Sequence, residues 1–208
     1  MSPADPLPID LGDGAIVRRY TTGDLDELWS AVQSERARIG EWMPWVEATT
    51  SKEAQGDWLR SVVDRADSMD GCGIYLDGEF AGSVGLSWDP FRIAGEIGYW
   101  VRAAFEGRGL VTRAARAFTD AALSDIGLNR VVIRAAVGNE RSRAVAERLG
   151  YQQEGIERGA GRGSSGYQDM VVYAMLAGEW GTVAAPGRAD GREDRPVRVD
   201  ATRQRPPE

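Results

Sequence analysis

The spacing of apolar residues along this chain switches repeatedly between strand-like and helix-like periods. Ala15–Tyr20 reads as a short strand. Asp24 is placed to cap a helix through about Val32, with Leu25, Leu28, Trp29 and Val32 on one side. Ser51 is placed to cap a second helix carrying Trp58, Leu59, Val62 and Val63. Ile74–Leu76 and Glu79–Leu86 flank Asp77-Gly78, a dipeptide favoured in two-residue hairpin turns. Ile93–Val101 is the next strand. A turn with two glycines follows, and then a long helix with Val111, Ala115, Phe118 and Ala122 on one stripe, ended by Gly127. Arg130–Ala136 predicts a strand, Asn139–Leu149 a helix closed by Gly150, and Tyr151–Ile156 and Tyr167–Leu176 two late strands. The sum is a mixed α/β domain whose sheet is partly antiparallel and partly parallel.

The ends of the chain differ from this middle. Residues 1–13 hold three prolines and no period, and read as a flexible lead-in. From Gly181 to Glu208 there are six arginines, five acidic residues, four prolines and no aromatic residue. Such a segment buries too little apolar area to offset its ordering entropy, so 181–208 is expected to be a disordered tail. One domain, 14–180, remains.

Composition narrows the chemistry. With 42% hydrophobic residues among 208, a substantial core is available. The net charge of -7 runs against binding to nucleic acid and suits a cationic partner better. Histidine is absent and Cys72 is the only cysteine, which removes Ser-His-Asp and Cys-His catalysis and thiolate or imidazole metal cages; no metal is expected. The single cysteine fits a reducing cytoplasm. Met1–Pro6 lacks the basic and apolar parts of a signal peptide, and no apolar run approaches the ~20 residues of a membrane span, so no membrane partner is expected.

The stretch richest in chemistry is Glu96-Ile97-Gly98-Tyr99-Trp100-Val101, then Glu106-Gly107-Arg108-Gly109-Leu110-Val111-Thr112. A strand ends, glycines turn the chain, and a helix begins. The first N–H groups of that helix have no intrahelical partner and sit at its positive end, and glycines leave the backbone open to a phosphate. Arg108, Arg113 and Thr112 lie beside it. Taken alone, the turn reads more simply as an ordinary tight connection, because its glycine spacing matches neither a dinucleotide fingerprint nor a P-loop.

The runs EIGYWV, EGRGLVTRA, LNRVVIRAAVGNERSRAVAERLGY and GYQDMVVYAML together resemble the GNAT acyltransferase superfamily, nearest its RimJ/RimL branch, over roughly 14–180. The resemblance implies a GNAT-like mixed α/β fold, a partly antiparallel sheet with helices on both faces. It implies an enzyme that uses acetyl-CoA as co-substrate to acylate a primary amine, and in that branch a protein N-terminal amine. In the family the pyrophosphate lies on the glycine turn, which maps to the backbone of Gly107, Arg108, Gly109, Leu110 and Val111, with Thr112 beside them. The pantetheine arm is expected along Tyr99, Trp100 and Val101, whose strand edge satisfies its amides as another strand would. Asn139 is expected to contact the arm, and its type and position fit a helix N-cap equally well. Many members carry an acidic tyrosine at the position of Ala146. The branch instead has a serine where Ser142 stands, placed to stabilise the departing thiolate. Glu96 is the candidate base. A carboxylate that some RimL relatives add corresponds to Gly161 here. Trp42, Pro44 and Trp45 resemble a Trp-x-Pro-Trp segment that helps wall the acceptor cleft, and a loop pinned to the core by aromatics reads as well.

Two alternatives stay open on this sequence: acetylation of a small, aminoglycoside-like amine, and a non-catalytic acyl-CoA sensor. The acyl chain and a homodimer are open as well.

Overall fold

The computed structural model describes residues 6–65, 69–88, 91 and 93–181. Most of the segment read as a disordered tail therefore lies outside the described residues. Part of the supposed flexible lead-in is ordered as a strand: Ile9–Gly12 (β1) pairs antiparallel with Ala15–Arg19 (β2). Its four residues are too few to show a period, so the sequence carried no mark of it.

The remaining elements follow in the predicted order. They are α1 (Leu25–Gly40), α2 (Trp45–Ala48), α3 (Lys52–Val63), β3 (Met69–Leu76), β4 (Glu79–Trp88), β5 (Ala94–Val101), α4 (Leu110–Asp120), β6 (Arg130–Ala136), α5 (Glu140–Arg148), β7 (Gln152–Gly163), β8 (Gly166–Leu176) and α6 (Ala177–Trp180). A π-helical turn over Ala121–Asp125 extends α4 toward Gly127. The eight strands form one sheet in the order β1-β2-β3-β4-β5-β6-β8-β7. All adjacent pairs are antiparallel except β5 and β6. The Asp77-Gly78 turn has φ of 51° and 83°, the left-handed pair that a tight hairpin with right-handed twist requires.

Strand alternation sends alternate side chains to the two sheet faces, and each face has its own core. On one, Leu110, Ala114, Ala115 and Phe118 of α4 and Val145, Ala146 and Leu149 of α5 pack on Val84, Leu86, Ile97, Val131 and Ile133. On the other, Leu28, Ala31 and Val32 of α1 and Leu59 and Val62 of α3 pack on Tyr20, Tyr75 and Phe80.

Ser51 caps α3 as expected, its hydroxyl accepting from the Ala54 N–H at 3.2 Å. Asp24 precedes α1 without capping it. Its carboxylate turns back to the Arg18 guanidinium, with bonds of 2.9 and 2.7 Å, and accepts from the Thr21 N–H at 2.6 Å. An ion pair with a rigid guanidinium fork is stronger than a cap to one amide, which explains the difference. Helix α1 also runs well past Val32, where Arg36 ties it to the short helix α2 through the Val46 carbonyl and to the end of that helix through the Thr49 carbonyl, at 2.6 and 2.5 Å.

Burial opposes the charge on Asp24, yet the bonds from Arg18 and Thr21 prevail and hold its carboxyl at about 2. A depressed folded value contributes stability above the unfolded value near 4 and loses it as pH falls toward 2. The contribution is on the order of 2 kcal/mol. Urea unfolding should show wild type losing about that much relative to Asp24→Asn between pH 6 and pH 2; parallel pH curves would show that the pair contributes nothing.

Candidate active site

The parallel ladder between β5 and β6 covers only Ala94, Glu96 and the residue between them, paired with Arg130–Val132. Beyond it, β5 stays paired with β4 as far as Val101, and β6 stays paired with β8 as far as Ala136. The two strands therefore part into a wedge, with Gly98, Tyr99 and Trp100 on one side and Ile133–Ala136 on the other. Unpaired backbone groups facing each other across such a gap accept a peptide-like chain between them. One expected group is already taken: the Val101 carbonyl accepts from Arg38 of α1.

The glycine turn stands at the mouth of the wedge. Gly107 and Gly109 have φ of 75° and 70°, and nothing lies within 4 Å of a side chain added at either. Gly109 precedes α4 in the left-handed conformation, and no side chain caps that helix. The leading N–H groups of α4 thus remain free for an anion. The expected charges around them are partly committed. Arg113 pairs with Asp13 at 3.1 Å, and Arg108 lies 5.4 Å over the Phe105 ring. Glu106 is neutralised by Arg38 at 2.8 Å and by Arg141.

At the start of α5, Asn139 is the N-cap, its side chain accepting from the Ser142 N–H at 3.1 Å. The Ser142 hydroxyl donates to the Tyr99 hydroxyl at 3.2 Å, and that hydroxyl reaches the Ser142 carbonyl at 3.1 Å. Burial, only partly opposed by the Ser142 bond, pushes the Tyr99 hydroxyl up to about 12, so it stays protonated at any physiological pH. Ala146, one turn further on, is fully buried in the core.

On the opposite face of the sheet, a cavity of about 430 Å³ opens between α1, α3 and strands β3, β4 and β5. Its floor exists because β4 presents Ser83, Gly85 and Ser87, and β5 presents Gly98, where a core strand would carry large apolar side chains. Tyr99, Trp100, Glu96 and Trp45 line it. Trp42 and Pro44 do not. Trp42 packs over Gly138, 3.7 Å from where a side chain would start, and Pro44 leads into α2. The tryptophan pair is thus split between wall and pin. Glu96 forms a 2.6 Å ion pair with Arg134. Gly161 is in β7, where an added side chain would meet the flexible Met170 side chain at 2.3 Å and displace it.

The family model described as an acetyltransferase (GNAT) domain matches residues 15–152. This chain belongs to the GNAT acetyltransferase family. YdaF of Bacillus subtilis (strain 168), named as a ribosomal N-acetyltransferase, is 34% identical over 172 residues, which is 79% of this chain and 92% of YdaF. The ribosomal-protein-serine acetyltransferase of Escherichia coli (strain K12) is 30% identical over 104 residues, 50% of this chain and 58% of that protein. The structure of RimL, the ribosomal L7/L12 alpha-N-protein acetyltransferase, in complex with coenzyme A superposes with a TM-score of 0.76 at 23% identity, over 81% of this chain and 97% of that one. That likeness is one of fold.

Within this GNAT acetyltransferase the structure brings together the glycine turn, the wedge, Tyr99, Ser142 and Asn139, which come from three separate stretches of sequence. Sequence reasoning assigned Tyr99 a backbone role only. The hydroxyl contact between β5 and α5 spans 43 residues, and no local pattern announces it. Asp70, Gln55 and Tyr20 also line the cavity and were missed. Gln55 sits on a helix read for its apolar stripe, and Asp70 precedes the predicted start of its strand.

Proposed function

We propose that this GNAT acetyltransferase moves the acetyl group of acetyl-CoA to the α-amine of a protein N-terminus. The observation that carries the reading is the wedge between β5 and β6, with the uncapped start of α4 at one end and the Tyr99–Ser142 pair beside it. Acetyl-CoA is a peptide-like arm ending in a diphosphate, and these are the two chemistries the wedge and the helix start satisfy. The relationship to YdaF supports the same donor and acceptor class.

In this reading the neutral amine enters from the cavity side and its nitrogen attacks the thioester carbonyl carbon. The carbon–sulfur bond breaks as the tetrahedral intermediate collapses, and the sulfur leaves as thiolate. The Ser142 hydroxyl donates a hydrogen bond to that sulfur. Tyr99, protonated and donating to the Ser142 carbonyl, keeps that residue oriented while the Ser142 hydroxyl turns from it to the sulfur. The proton displaced from the amine leaves through water toward Glu96. Arg134 already holds the Glu96 carboxylate in an ion pair. An α-amine with a pKa near ~8 needs little help, whereas a lysine amine near ~10.4 needs several kcal/mol more, at ~1.36 kcal/mol per unit.

Four outcomes check this. Gly109→Val should raise the dissociation constant for coenzyme A at least about tenfold in calorimetry, because a β-branched residue strains the left-handed backbone and covers the helix start. Unchanged affinity would misplace the diphosphate. Ser142→Ala should lower kcat about 10- to 100-fold with little change in the KM for acetyl-CoA, since its bond strengthens as charge reaches the sulfur. Tyr99→Phe should move kcat in the same direction, and equal losses in binding and rate would instead mark both as structural. Finally, kcat/KM for a peptide acceptor should rise with pH and level off near the amine's own pKa, about 8. A plateau set near pH 6 would reveal a dedicated base.

A further inference from the structure

The cavity has a far end that acyl transfer does not use. Asp70 lies where the β3–β4 ladder shifts register between Met69 and Cys72. Bulges of this kind re-aim side chains beside active sites. Gly85 makes the displacement possible, because a side chain there would come within 2.6 Å of the Asp70 carbonyl. Gly85 in turn pairs with Gly98 of β5. Asp70 therefore stands two strand spacings, about 10 Å, from the wedge where the thioester reacts. It is too far to touch the reacting amine and close enough to touch the next group along the acceptor.

Two further buried polar groups line the cavity. Among the described residues Gln55 is 3% exposed with an Oε1 that accepts no hydrogen bond, and the equally buried Tyr20 hydroxyl has the Ser83 hydroxyl beside it. A buried polar atom left unsatisfied is costly, and one lining a cavity marks where a ligand's donor goes. The surroundings say which donors. Trp45, Trp58, Trp100 and Tyr20 supply aromatic faces, Asp70 and Glu96 supply carboxylates, and no basic side chain lines the cavity among the described residues. Among the described residues Asp70 has only a long, 3.4 Å pairing with the exposed Arg65. Burial raises its carboxyl above the ordinary range, with Arg65 pulling the other way. A better-placed cation would relieve it.

We propose that Asp70, Gln55 and Tyr20 form a second recognition subsite, which selects acceptor peptides carrying a basic side chain next to the N-terminal residue. A guanidinium suits it best, since its fork of donors matches the carboxylate while its plane stacks on aromatic faces. The choice of a peptide rests on the N-terminal transfer proposed above; the cation preference rests on the cavity alone.

The test compares the peptide amides Ala-Arg-Ala-Ala and Ala-citrulline-Ala-Ala, which differ only in one NH2 group replaced by a carbonyl oxygen, and so in charge. Binding is read by quenching of the cavity tryptophans without acetyl-CoA, and transfer by coenzyme A release. The wild type should bind the arginine peptide, and turn it over at low concentration, about 10- to 100-fold better, the range expected of a charge-assisted hydrogen bond. Asp70→Asn should remove most of that preference while leaving coenzyme A affinity unchanged. Tyr20→Phe, which removes only that buried hydroxyl, should narrow the preference, with unchanged coenzyme A affinity as the control for folding. Quenching that prefers arginine and needs Asp70, with no transfer to either peptide, upholds the subsite and overturns the N-terminal reading. Equal binding of the two peptides by wild type, or a preference that both variants keep, overturns the subsite.

Discussion

The organising constraint of this protein is a hydrogen-bond ladder that stops early. A sheet gains by continuing every ladder to the end of the shorter strand, and β5 and β6 instead part after Glu96 and Val132. Each is held away from the other by a complete partnership on its far side, β5 with β4 and β6 with β8. Arg38 reinforces the arrangement by fixing the Val101 carbonyl from α1. The result is backbone that remains polar and unpaired in the middle of a sheet. Only a ligand or water can satisfy it, and its shape is that of a missing strand.

Much of the site's chemistry depends on that break. The wedge lets Tyr99 reach across to Ser142 at the start of α5. It leaves the glycine turn and the uncapped first turn of α4 at its mouth. The carboxylate of Glu106 stands in this same turn, where an isolated negative charge would repel a diphosphate. Arg38 and Arg141 neutralise it, so the helix start keeps its positive character. A cavity is built on the other face, from small residues on β4 and β5 and aromatic residues on the helices and loops above. In the proposed function donor and acceptor approach from opposite faces and meet at the strand edge.

The order of elements was legible because strands and helices in this chain carry distinct apolar periods and are separated by glycine-bearing turns. Asp77-Gly78, Ser51 and Asn139 each announced their local structure through chemistry that acts within four residues. The ladder of β7 and β8 extends far beyond the apolar stretch that predicted it, since polar residues of an edge hairpin pair by backbone alone. Asp24 was misread because Arg18, which claims its carboxylate, stands in the preceding strand. Trp42 and Trp45 could not be told apart in sequence; only the folded chain sends one onto Gly138 and the other into the cavity.

By itself the sequence determined the alternation of elements, the glycine turn before α4, the capped start of α5 and the absence of histidine chemistry. These rest on interactions between residues close together in the chain. The tertiary structure decided where the ladder breaks, that Tyr99 meets Ser142, and that Asp70, Gln55 and Tyr20 surround one cavity. Those depend on strand register and on which face each strand turns inward, and both are set only when distant segments pack together.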